Sequence, residues 1–113
     1  MDILELKNYL NCDNTFLETI IQKFIAEVQE ITKTIETAAA AEKWPVVKLN
    51  AHKMLSSVKI FEIDELIILL EKVEINAEKQ KNIPQLKKDI EKLIGLSAKA
   101  IFDAQTALEE LNQ

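Results

Sequence analysis

Between residues 17 and 38 the apolar side chains Leu17, Ile21, Phe24, Val28, Ile31, Ile35 and Ala38 fall at spacings of 4, 3, 4, 3, 4 and 3. A seven-residue repeat of this kind belongs to an α-helix that lies at a shallow angle against other helices. A β-strand cannot present it, because strand side chains alternate with a period of two. Phe16, Ile20 and Ile25 widen the stripe beyond a strict coiled-coil seam, so the helix needs a bundle to cover it.

The rest of the chain extends this pattern. With 1 glycine and 2 prolines in 113 residues, there is almost no punctuation for strands and hairpins. A short helix is predicted over 2–10, with Ile3, Leu6 and Leu10 on one face, followed by capping side chains in Asn11-Cys12-Asp13-Asn14. The long second helix is predicted over 15–41. Pro45, suited to a first helical turn, opens a third over 45–61. A fourth begins near Asp64, a cap or first-turn acid, carries Leu66, Leu70, Val73 and Ala77, and fades in Glu78-Lys79-Gln80-Lys81. A fifth starts at Asn82-Ile83-Pro84 and runs close to the C-terminus. Its apolar positions are Leu86, Ile90, Leu93, Ile101, Ala104, Leu108 and Leu111, with Ser97 in one expected apolar slot. Short connections make consecutive helices antiparallel neighbours. The expected fold is all-α: an antiparallel four-helix bundle with a short extra N-terminal helix, as a single domain over 1–113.

Several functions are excluded on composition. A net charge of −5 argues against binding nucleic acid by phosphate neutralisation. The lone Gly95 leaves no glycine-rich phosphate cradle, so no nucleotide motif of that kind exists. One cysteine (Cys12) and one histidine (His52) cannot build a four-ligand zinc site, and a single cysteine fits a reducing compartment. The start of the chain does not resemble a signal peptide and no run is long enough to span a membrane, so a cytoplasmic location is expected. A ferritin-like metal pair needs Glu-x-x-His, but Leu49 stands three residues before His52. The paired Glu109-Glu110 reads as a solvated chain end.

His52 is the chemically distinctive residue. On a wheel of about 100° per residue, Trp44, Val47, Ala51, Met54, Leu55, Val58 and Phe61 form the core arc of the third helix. His52 falls about 120° from its centre, beside Lys48, Ser56 and Lys59. Leu49 and Ile60 lie beyond it, with Leu55 on the core side. An accessible imidazole between cations and apolar side chains suits accepting an anion delivered by a docked protein. Leu49, Leu55 and Ile60 are then the candidate docking contacts, rimmed by Lys48 and Lys59.

The segment Ala51-His52-Lys53-Met54-Leu55-Ser56-Ser57 resembles the core of the histidine-containing phosphotransfer (HPt) family, whose pattern reads Ala-His-x-Leu-Lys-Gly-Ser-Ser. Leu66, Leu70, Val73 and Glu74 stand 14, 18, 21 and 22 residues after His52, the family's offsets for Leu, an apolar residue and an apolar-Glu pair. The helix around Phe24, the Trp44 turn, the length and the five-helix layout are also similar, so the resemblance covers essentially the whole chain. The chain departs from the pattern at Leu55, where the family usually has Lys, at Ser56, where it usually has Gly, and at Glu62, where it often has Gly.

The resemblance implies a phosphocarrier: His52 as phosphoacceptor, with Lys48, Lys59 and Ser56 as phosphoryl stabilisers in place of the missing family lysine. It implies a partner, the receiver domain of a response regulator or hybrid histidine kinase, whose Mg²⁺ would be the only metal involved. No cofactor of the chain's own, no nucleic acid, no membrane insertion and a monomeric state are expected. The family often orients its imidazole with a polar side chain of the preceding helix; Glu30, Lys33, Thr34 and Thr37 lie at about that level, and the sequence assigns none of them. The alternative is a helical module that binds a receiver or another protein without passing phosphate.

Overall fold

The computed structural model describes residues 3–113, and its five helices are α1 (Ile3–Leu10), α2 (Asn14–Ala40), α3 (Trp44–Ile60), α4 (Asp64–Lys79) and α5 (Ile83–Leu111). No strand occurs among the described residues. The sequence reading starts the first helix at Asp2, which lies outside the described residues, as does the side chain of Ile3. Helices α2 and α5, at 27 and 29 residues, are each about 40 Å long. The shorter α3 and α4, of 17 and 16 residues, cover only part of that length. Beyond their lower end sits α1, whose Leu6 and Tyr9 line an open crevice with Phe61, Ile63, Leu66, Leu96 and Ala100.

The heptad residues of α2 are all buried, from Leu17 to Ala38. They meet Val47, Ala51, Met54 and Val58 of α3, Leu66, Leu70 and Val73 of α4, and Leu86, Ile90 and Leu93 of α5 in one core. Burying each of these larger side chains contributes about 1.5–3 kcal/mol. Phe24 and Phe61 close the lower part of the core, with ring centroids 4.4 Å apart. The far half of α5 differs from expectation. Ala104 is buried as expected, but it is joined there by Ala100 and Ala107, while Ile101, Leu108 and Leu111 pack at the edge. A helix of 3.6 residues per turn drifts off a seven-residue grid, and small residues at the centre let it lie close to its neighbours. Ser97 occupies its apolar slot fully buried, its hydroxyl without a hydrogen-bond partner among the described residues.

The helix ends follow from local chemistry. The Asp13 carboxylate accepts from the Phe16 N–H at 2.8 Å and caps α2. Ile63, not Asp64, holds the cap position of α4, and Asp64 becomes a first-turn acid. Five non-glycine residues adopt left-handed backbone in the connections: Asn11, Glu42, Glu62, Gln80 and Asn82, with φ between 51° and 56°. Across α4 and α5, Lys72 Nζ lies 3.3 Å from Asp89 Oδ2, and Gln85 donates to Asp89 Oδ1 at 2.9 Å.

Candidate functional site

The rotation of α3 is set by its buried residues. Val47, Ala51, Met54 and Val58 are wholly inaccessible, and Trp44 anchors the upper end. That orientation turns His52 outward, with 69% of its side chain exposed. On α4, burial of Val73 and Ala77 turns Glu74 toward α3 in the same way. The two meet across the seam, with Glu74 Oε1 2.8 Å from His52 Nδ1 and the carboxylate itself 22% exposed. One turn away, Lys48 donates to Glu78 Oε1 at 3.1 Å. Four steps along α3 thus match four steps back along α4, as an antiparallel pair requires.

A carboxylate only accepts hydrogen bonds, so at Nδ1 it selects the imidazole tautomer or charge state that carries a proton there. In the neutral ring the lone pair is then on Nε2, the nitrogen that does not face Glu74. The carboxylate also holds the ring plane and raises the electron density of the far nitrogen, as second partners do for ligating histidines.

The residues predicted around His52 divide. Lys59 and Ser56 are exposed, and Lys59 has no ion pair among the described residues. Leu49 and Ile60 are exposed apolar side chains. Leu55 is not part of a docking surface: it is buried, because three residues on from His52 a helix turns back about 60° toward the core. Lys53 lines a shallow groove between α2 and α3 with Glu27, Glu30, Thr34 and Asn50, and Ser56 lines the same groove. In that groove Ser57 donates to Glu27 at 2.6 Å.

The residue that contacts the imidazole therefore comes from the following helix, not the preceding one. None of Glu30, Lys33, Thr34 and Thr37 bonds to His52, and the Thr34 hydroxyl donates instead to the Glu30 carbonyl at 3.1 Å. Glu74 was visible in the sequence only as part of the family spacing. Its pairing could have been found from the turn: His52 and Glu74 each stand eleven residues from Ile63, and Lys48 and Glu78 each stand fifteen. Glu62 holds left-handed backbone, a conformation that glycine adopts without strain. Among the described residues no group of three or more His, Cys, Asp or Glu side chains is placed to hold a metal ion. No helix is long and apolar enough to cross a membrane.

No protein-family model and no curated protein matches the sequence. The structure is similar to the crystal structure of the HPt domain of a sensor hybrid histidine kinase from Shewanella, with a TM-score of 0.84. The match covers 100% of this chain and 97% of that one at 14% sequence identity. An exposed mid-helix histidine, a five-helix order and a likeness that spans both chains lead to one conclusion: this chain has the fold of an HPt domain.

Proposed function

We propose that this chain is a histidine phosphocarrier that exchanges a phosphoryl group between His52 and the aspartate of a receiver domain. The observation that carries this reading is the exposed imidazole held at Nδ1 by Glu74. In the forward step the Nε2 lone pair attacks the phosphorus of the aspartyl phosphate. The N–P bond forms as the P–O bond to aspartate breaks, and the receiver keeps a free carboxylate. Glu74 opposes the positive charge that develops on the ring, and Nδ1 keeps its proton throughout, donating it to the carboxylate. A Mg²⁺ on the receiver would supply charge neutralisation at the phosphoryl oxygens. The reverse step uses the same groups.

The surface around His52 suits a transient partner. Leu49 and Ile60 are exposed apolar side chains available for contact, and in this reading Lys48, Lys59 and Ser56 serve as the phosphoryl stabilisers. Such signalling contacts are small and short-lived. The chain acts as a monomeric carrier in the cytoplasm, not as a kinase, and a receiver of a response regulator or hybrid kinase is its partner.

The test is transfer of label from a phosphorylated receiver, combined with urea unfolding. The wild-type chain gains an acid-labile, base-stable phosphate. His52→Gln gains none, and its stability changes by no more than about 0.5 kcal/mol, as for other exposed substitutions. Residual labelling of the variant would move the acceptor elsewhere. A wild-type chain that co-elutes with the receiver and gains no label is a binding module without transfer.

A further inference from the structure

We infer that Glu78 tunes how strongly His52 holds its phosphoryl group, by competing for the Lys48 ammonium. The inference rests on the phosphocarrier reading and names a residue that does not touch the acceptor. It follows from the two-rung ladder on the α3–α4 seam. Lys48 stands one turn before His52 on the same helix, close enough for side chains at this spacing to meet. Its ammonium is engaged across the seam by Glu78 Oε1 at 3.1 Å. Both groups of that rung are well exposed, at 41% and 60%, so the pair is free to open. The other rung leaves Nε2 without a partner among the described residues.

Loading the site changes the charge balance sharply. A phosphoryl group on Nε2 brings about two negative charges to a place that had none. It also brings three oxygens that accept strongly from an ammonium. Lys48 then has two acceptors to choose between, the single charge of Glu78 and the nearly double charge of the phosphoryl group. In the loaded state it leaves Glu78 for the phosphoryl oxygens. The exchange breaks one ion pair and forms another; no covalent bond and no proton moves. Releasing Lys48 from Glu78 opposes loading, so the phosphorylated state is held less tightly than an uncommitted lysine would hold it. A carrier needs this balance, because a phosphoryl group bound too firmly is not passed on. Glu74 plays no part in the exchange, since it faces the other nitrogen.

The experiment is a double-mutant cycle on the reversible reaction of the full chain with phosphoramidate, which passes its phosphoryl group to His52 and releases ammonia. The equilibrium constant is read by phosphorus NMR at low salt. Glu78→Gln should raise it by about two- to fivefold, the range that an exposed charge contact supplies. Lys48→Ala should lower it by a similar factor. In the Lys48→Ala background, Glu78→Gln should have no effect, because there is no ammonium left to release. An equal effect of Glu78→Gln in both backgrounds would overturn the inference and leave only long-range repulsion between charges. No effect in a chain that loads normally would also overturn it. A wild-type chain that takes no phosphoryl group at His52 would remove this inference together with the phosphocarrier reading.

Discussion

The α3–α4 and α4–α5 seams each join a nitrogen base on one helix to a carboxylate on the next, and in both the carboxylate is the more buried partner. On α3–α4 the exposed member is His52, above a Glu74 carboxylate that is 22% exposed. On α4–α5 it is Lys72, with 51% of its side chain exposed, above an Asp89 carboxylate at 8%. The geometry is alike, and the chemical outcome is opposite. A lysine ammonium has three donors and no lone pair, so its contact with Asp89 leaves nothing for a reaction. An imidazole bonded at one nitrogen still offers the other. Burial differs too. Asp89 takes its one side-chain hydrogen bond from Gln85 and depends on the charge of Lys72, whose Nζ lies 3.3 Å from an Oδ2 that has no hydrogen-bond partner among the described residues. The α4–α5 pair fastens two helices, whereas the α3–α4 pair leaves the second imidazole nitrogen open.

Substitutions separate these roles. The largest effect on stability belongs to Lys72→Ala, which strands a buried carboxylate with Gln85 alone. Urea unfolding should show a loss of about 1–3 kcal/mol. A loss below about 0.5 kcal/mol would mean that Asp89 reaches water and that the seams are not distinct in this way. Glu74→Ala should act on rate: without its anchor the imidazole turns freely, and transfer from a phosphorylated receiver should slow by about tenfold. Glu74→Gln keeps an accepting oxygen and should recover part of that rate. An unchanged rate in Glu74→Ala would show that ring positioning does not limit transfer. The smallest effect is expected for Lys48→Ala, whose exposed pair with Glu78 contributes less than about 0.5 kcal/mol to stability by the same unfolding measurement.

Much of the architecture was legible because packing imposes a period on the sequence. The heptad of α2 and the core arc of α3 each define a face, and the exposure of His52 follows from that arc alone. The partner of His52 was not legible in the same way. Its identification depends on two helices at once: the rotation of α4, the rotation of α3 and the point about which the chain turns. A polar residue on α2 satisfied only the level of His52, while Glu74 satisfies level, face and equal distance from Ile63. Leu55 shows a different limit, since the sequence placed it both on the core arc and among the docking contacts, and burial decides for the core. In α5, hydrophobicity favoured Ile101 and Leu108 as centre positions, whereas close helix approach favoured Ala100 and Ala107 beside the expected Ala104. Size decided the contest there.

The left-handed residues that end the helices carry a consequence for how much the molecule can spare. Asparagine tolerates that backbone at Asn11 and Asn82, but Glu42, Glu62 and Gln80 hold it against a steric penalty of about 1–2 kcal/mol each. Glycine would relieve the penalty and return part of the gain to the disorder of the unfolded chain, leaving a net benefit of about 0.5–1 kcal/mol per position. The protein thus lives with three uncorrected joints: Glu62 between α3 and α4, Gln80 between α4 and α5, and Glu42, whose carboxylate also pairs with Lys87 at 3.2 Å. Gln80, which holds no ion pair and lies far along the chain from His52, is the joint where a glycine would raise the working temperature of the bundle at least cost to other contacts.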